Sequence, residues 1–329
     1  MVSAVRPSWI RRVFAFFLLG AALTSAHAAE SSYPTRPVRL VVPFAPGGGV
    51  DTTARIIAPK LSEVMGQNWV VDNRTGAGGN LASEIIARAT PDGHTVMLAI
   101  DSQLTANPSL YTLTFNVQKD LQPVIVIAAT DQILVVHPGI AAGTFKEFIA
   151  LARQKPGAFR YGSGGVGSAN HLAGELLKKV TAIDILHVPY KGAGPSIAGI
   201  LAGEIQMNIS SLASTLGFIT SGKLRALART GLKRGKVLPE LPTVAESGYP
   251  GFEAIQWYGL VVPGATPKHV VERIRNDSLK LLQAADVQAA MERLGLEPDG
   301  TTGPELAARL KKETALWSGI IKEAGIRLQ

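Results

Sequence analysis

Short apolar runs alternate with segments of helical period along nearly the whole chain, the pattern of an α/β protein with mostly parallel sheets. Residues 38–42 predict a strand, 52–65 a helix, 69–71 a strand, 81–89 a helix and 95–99 a strand. Asp92-Gly93 and the glycines at 76, 78 and 79 supply the breaks between them. A second run of the same kind opens with a strand at 132–136. It is followed by a helix at 144–155, for which Thr144 and Glu147 have the spacing of a capping box. Further strands are predicted at 159–162, 185–188, 205–209 and 224–228, with helices at 170–180, 195–201 and near 216–221.

After a strand-like 254–258 the chain turns almost wholly helical. Thr266 caps a helix that has Pro267 at its first position and runs to about 283, 286–294 is another, and Thr302 with Glu305 brackets the start of a last helix reaching 323. Three helices without strands make no α/β lobe of their own. They are therefore expected to pack back on the first run, so that the chain crosses between lobes twice, near 128–131 and 252–256. The expected organisation is a leader at 1–28, one lobe from 29–130 plus 255–329, and a second from 131–254. Neither a repeat of 20 to 50 residues nor a low-complexity segment interrupts this order.

The leader is read from Arg6, Arg11 and Arg12, an apolar run at 13–23 too short to span a bilayer, and Ala26-His27-Ala28 before the cut. Cleavage is expected after Ala28, with export by the ordinary secretory route into the periplasm, because Ile10 stands where a twin-arginine signal prefers Ser or Thr. The formal charge of +8 includes those three arginines, which leaves +5 on the mature chain. The basic residues are scattered, with no run longer than Lys178-Lys179 or Lys311-Lys312, which argues against nucleic acid as a partner. The chain has no cysteine, so disulfides, thiolate metal sites, cysteine nucleophiles and a lipidated N-terminal cysteine are all excluded.

Three glycine-bearing loops, each between a strand and a helix, are the candidate chemistry. The first runs from Phe44 through Pro46, Gly47, Gly48 and Gly49 to Asp51. Glycine lets backbone approach a ligand, and a helix start presents unpaired N–H groups that favour an anion. No Gly-Lys-Ser/Thr follows, and Thr52 occupies the third glycine position of a dinucleotide fingerprint. The second loop, from Ser163 through Gly167, Ser168, Ala169 and Asn170 to His171, does match that fingerprint at Gly162, Gly164 and Gly167. Asp184, however, precedes its strand rather than ending it, so no nicotinamide cofactor is expected. The third holds Tyr190, Lys191 and Gly192. Trp257 and Tyr258, after the second crossing, are candidates for an aromatic wall over the ligand.

The six histidines show no metal spacing, and Gly-x-Ser-x-Gly does not occur. Neither a metal nor a catalytic residue is expected. Ser163 or Ser168 with His171 leaves open an exported serine hydrolase, and a receptor for a membrane sensor kinase is a further alternative.

In order along the chain, PFAPGGGVD (43–51), VVDNRTGAGGN (70–80), ATPDGHTVMLA (89–99), YGSGGVGSANHLAGELL (161–177), HVPYKGAGPS (187–196), GKLRALA (222–228) and LPTVAESGYPGFEA (241–254) resemble the Bug family of extracytoplasmic solute receptors for tripartite tricarboxylate transporters. The resemblance runs from about Tyr33 to the C-terminus. It implies a type II periplasmic binding-protein fold, two lobes closing on one small organic carboxylate, and membrane subunits of the transporter as partners, the receptor itself acting as a monomer without cofactor or catalysis. It assigns the ligand to the loop at 44–51, the loop at 163–171, residues 190–192, and Ser210 with Ser211. Many members carry an acidic residue near Ser210, and Asn208-Ile209-Ser210-Ser211 has none. That departure disfavours a ligand with an amine and favours a di- or tricarboxylate or an aromatic acid.

Overall fold

The computed structural model describes residues 33–328; the leader expected at 1–28 and its cleavage after Ala28 lie outside the described residues. Two sheets organise the chain. The first is built from β1 (Val38–Val42), β2 (Trp69–Asn73), β3 (Thr95–Ile100), β4 (Leu121–Thr130), β10 (Gln256–Pro263) and β11 (Glu297–Pro298), in the spatial order β11-β4-β10-β3-β1-β2. The second holds β5 (Gln132–Val136), β6 (Arg160–Ser163), β7 (Leu186–Pro189), β8 (Met207–Ser211) and β9 (Arg225–Arg229), in the order β7-β6-β8-β5-β9.

The expectation of mostly parallel sheets is corrected. β1 lies parallel to β2 and β3, and β6 parallel to β7 and β8. By contrast β10 runs antiparallel to β3 and β4, and β5 antiparallel to β8 and β9. The reversed strands are those that carry the chain between sheets: β4 feeds β5 through Asp131 alone, with no helix to turn the chain around. Hydrophobic pattern does not report strand direction, and β4 itself, residues 121–130, was not anticipated. Pro123 looks foreign to a central strand, yet β11 covers only Ala128 and Ala129 of its outer edge, so the missing N–H at 123 interrupts no ladder there.

The longer helices follow the helical-period segments, whereas three short ones between residues 101 and 120 were not anticipated. They are α1 (Gly49–Met65), α2 (Asn80–Ala87), the short α3 (Asp101–Thr105), α4 (Asn107–Leu110) and α5 (Val117–Asp120), then α6 (Phe145–Gln154), α7 (Ala169–Thr181), α8 (Ala193–Leu201), α9 (Leu212–Thr220), α10 (Lys268–Leu282), α11 (Ala285–Glu292) and α12 (Gly303–Glu323). Thr144 and Glu147 form the expected reciprocal cap of α6. Two other expected caps do not form. The Thr266 hydroxyl donates to the Pro263 carbonyl, so that Pro267 precedes α10, and the Thr302 side chain makes no capping bond to α12.

One face of the first sheet packs on α1, α10 and α11 through Ile57, Leu61, Ile274 and Met291, while Ile86 and Leu306 cover the other. The second sheet is sandwiched between α6 and α7, contributing Phe145, Phe148 and Leu177, and a smaller layer with Ile200 and Leu212. Of the three C-terminal helices, α10 and α11 pack on the first sheet as expected, and α12 does not stay there. Its Leu306 belongs to the first sheet's core, whereas Trp317, Ile320 and Ile321 are buried in the second sheet's core. At about 1.5 Å per residue, 21 residues reach roughly 31 Å, long enough to tie both sheets together.

Candidate functional site

A cleft opens where the C-terminal ends of β1, β6, β7 and β8 give way to helices. It comprises two adjoining cavities of about 430 and 840 Å³ that share Phe44, Gly48, Gly49, Gly192, Ala193, Ser211 and Tyr258. Four helices begin at its walls. Their N-caps are Gly48 (α1), Ser168 (α7), Gly192 (α8) and Ser211 (α9), and all four line the cleft. Among the described residues no Asp, Glu, Lys, Arg or His lines either cavity. The first sheet supplies one helix end and the second sheet three, and each carries a partial positive charge from its unpaired N–H groups.

The first loop is shaped by Asp51, which is 2% exposed and faces away from the cleft. Its carboxylate accepts from the Gly47 N–H (2.9 Å), from Asn73 Nδ2 (2.9 Å) and from Arg55 Nε (2.9 Å). Burial alone would raise its pKa; the hydrogen bonds from Arg55, Gly47 and Asn73 outweigh it and hold the carboxyl below its ordinary range. Asp51 was expected at the ligand; it lines neither cavity and instead braces the loop that does. Gly49 leaves room for Tyr258, whose hydroxyl a Cβ at this position would strike.

The second loop rests on an aromatic layer. His171 and His187 stack at 3.7 Å with an interplanar angle of 9°, and Tyr161 lies against both. His171 Nδ1 accepts from the Gly167 N–H (3.0 Å), and His187 Nε2 bonds Ser163 Oγ (2.7 Å). Burial, opposed in part by Glu175, lowers the His171 pKa to about 4. Burial and the neighbouring His171 lower that of His187 to about 3, so both rings are neutral near pH 7. Ser163 (1% exposed) and His171 (5% exposed) are therefore props beneath the loop, not the ligand contacts expected of them. No described hydrogen bond joins the hydroxyl of Ser163 or Ser168 to the His171 ring; Ser168 donates to the Gly165 carbonyl instead. Gly167, Ser168, Ala169 and Asn170 do line the cleft.

In the third loop only Gly192 reaches the cleft. Tyr190 turns outward to Glu204 (3.1 Å), with its hydroxyl against Gly199, and the exposed Lys191 lines neither cavity. Ser211 lines both cavities, but the Ser210 hydroxyl is spent on Asn208 Oδ1 (2.6 Å). Trp257 is likewise corrected. Side chains alternate along β10, so Gln256 and Tyr258 face the cleft, while Trp257 enters the opposite core, donates to Glu313 (2.9 Å) and lies under the Arg309 guanidinium.

The expected residues that meet in the cleft are thus Phe44, Pro46, Gly47, Gly48, Gly49, Gly167, Ser168, Ala169, Asn170, Gly192 and Ser211. Sequence reasoning missed Gly78, Ser102, Asn107, Tyr111 and Gln256. Gly78 was visible only as a turn glycine, and the short helices at 101–110 have no period from which to read a face. Behind Ser102, Asp101 is 3% exposed; burial and then the charge of Glu313 push its pKa well above the carboxylate range and favour its neutral form. No group of three or more potential metal ligands occurs among the described residues.

A two-sheet α/β molecule with helix starts converging on an uncharged cleft has the build of a solute-binding protein, and comparison with known proteins agrees. Residues 53–326 match the model of the tripartite tricarboxylate transporter family receptor, and the chain belongs to that family. It is 38% identical over 315 residues, 95% of this chain and 94% of the relative, to a protein encoded in the tcbD-tcbE intergenic region of Pseudomonas sp. strain P51. An R. palustris protein solved with adipate superposes with a TM-score of 0.82 at 35% identity, covering 90% of this chain and all of that one. MatC from Rhodopseudomonas palustris with bound malate gives 0.77 at 28% identity, covering 88% of this chain and all of MatC. The fold is therefore that of a periplasmic binding protein of this receptor type. Among the described residues no helix is long and apolar enough to cross a membrane.

Proposed function

We propose that this protein is an exported receptor that captures a small organic carboxylate, a di- or tricarboxylate or an aromatic acid, and delivers it to the membrane subunits of a tripartite tricarboxylate transporter. It acts as a monomer and transforms nothing. The observation that carries this is the convergence of four helix N-termini, from both sheets, on a cleft without a charged side chain. Each such terminus contributes about 0.3–1 kcal/mol toward an anion, and up to about 2 kcal/mol where it is partly buried, so four favour a negative group by a few kcal/mol while leaving it releasable. A clamp of lysines or arginines would hold the anion more tightly and release it more slowly. The carboxylates named with two solved relatives, adipate and malate, are of the size such a cleft accepts.

Closure follows the ligand, because only the closed form lets donors from both sides reach the same anion. The test is a thermal-shift panel on the mature chain, followed by small-angle scattering. An organic acid should raise the melting temperature and contract the particle. Stabilisation by sugars or cationic amino acids with no response to any acid would overturn the assignment.

A further inference from the structure

Two asparagines give the cleft a feature that a plain anion site does not need. Asn107, 3% exposed, reaches the 430 Å³ cavity from the first sheet's side, and Asn170, in the first turn of α7, from the second's. Asn107 Nδ2 donates to the Gly78 carbonyl (3.0 Å) and to Asn80 Oδ1 (2.7 Å). Asn170 Nδ2 donates to the Ile209 carbonyl (2.5 Å) and to Gln132 Oε1 (3.0 Å). Main-chain carbonyls accept only, so Gly78 and Ile209 determine which end of each amide is nitrogen. Both hydrogens of each side chain are thereby spent. What remains on each is Oδ1, an acceptor to which no described group donates. Gln256 lines the same cavity with one end of its amide on the Tyr258 hydroxyl (3.0 Å) and the other end without a described partner.

We propose that Asn107 and Asn170 make this receptor selective for organic acids that carry a hydroxyl group near the carboxylate. The inference rests on the anion-receptor assignment and names the ligand class within it. Helix N-termini satisfy a carboxylate, but a carboxylate oxygen set against Asn107 or Asn170 Oδ1 meets another acceptor and is repelled. An unsubstituted acid strands both oxygens when it displaces their water, and a buried acceptor left unpaired is costly. A hydroxyl supplies the missing hydrogen. Sites built to bond a hydroxyl reject analogues lacking it far more strongly than apolar pockets reject a changed methylene.

Three matched pairs separate the possibilities by calorimetric titration of the mature chain: malate against succinate, citrate against tricarballylate, and mandelate against phenylacetate. In every pair that binds, the hydroxy acid should be tighter by at least tenfold, and Asn107→Ala with Asn170→Ala should shrink that ratio below threefold. Equal affinity within the pairs, or preference for the unsubstituted acid, overturns this inference and leaves the carboxylate receptor standing. Binding by none of the six, with a neutral or cationic solute binding instead, overturns both. Should the double variant not fold, the ratios in the unaltered protein decide alone.

Discussion

The histidine pair under the second loop makes stability depend on pH in a calculable direction. An unfolded histidine titrates near pH 6.5, whereas burial holds His171 at about 4 and His187 at about 3. The folded state therefore binds these protons more weakly than the unfolded state. The stability they sustain is complete above about pH 6.5 and is lost progressively as the pH falls toward those lower values. Between pH 8 and pH 5 linkage gives a loss of roughly 2 kcal/mol per ring, about 4 kcal/mol for the pair. For a chain of this size that is roughly 8 °C in melting temperature, at about 2 °C per kcal/mol.

Two charged groups face this layer: Glu175, 3.9 Å from His171 Nε2, and Lys178, paired with Glu175 at 2.9 Å. Asp131 opposes the effect from a distance. Burial raises its pKa to about 6 despite the Arg229 guanidinium, so its protonation in the folded state returns about 1 kcal/mol over the same interval. The measurement must therefore subtract a reference. His171→Asn and His187→Gln together keep an acceptor for the Gly167 N–H and a polar partner for Ser163 but do not titrate, and scanning calorimetry of both proteins at several pH values isolates the pair. The unaltered protein should lose about 8 °C more than the variant on going from pH 8 to 5. Parallel curves would refute the claim that these rings are held in their neutral form.

Three further outcomes follow from the cleft and its supports. Gly49→Ala drives a Cβ against Tyr258 Oη and should weaken carboxylate binding at least tenfold, with about 1–3 kcal/mol lost in denaturant unfolding; adding Tyr258→Phe should recover part of both, and no recovery would mean the contact is not the cause. Asp51→Asn keeps the shape but removes the charge paired with Arg55, so about 1–3 kcal/mol of stability should go, read by urea titration together with a higher Kd as the loop loosens. Because no charged side chain lines the cleft, raising salt from 0.05 to 0.5 M should change the Kd for a preferred acid less than threefold in isothermal titration; a steep dependence would point to a lysine or arginine reaching in.

Much of this molecule was legible before any fold was seen. The strand-to-helix loops at 44–51, 163–171 and 190–192 stand out because glycine, proline and small polar residues interrupt clear hydrophobic periods, and those interruptions are where helix N-termini must lie. The ordered motifs named the family. Local pattern could not say which way a side chain points once the loops fold. Asp51, Ser163 and His171 sit in cleft-forming loops yet spend polar atoms on the backbone of Gly47, Gly165 and Gly167 that shapes them. Trp257 and Tyr258 are neighbours in sequence but face opposite sides of β10, and only the neighbours of that strand settle which side is the cleft.

The reversed strands, the reach of α12 across both cores and the recruitment of Asn107 and Gln256 depend on contacts between residues far apart in the chain. Sequence periodicity reports which residues are buried, because burial follows hydrophobicity one residue at a time. Orientation and partnership are properties of pairs, and pairs are chosen only when the tertiary structure brings them together.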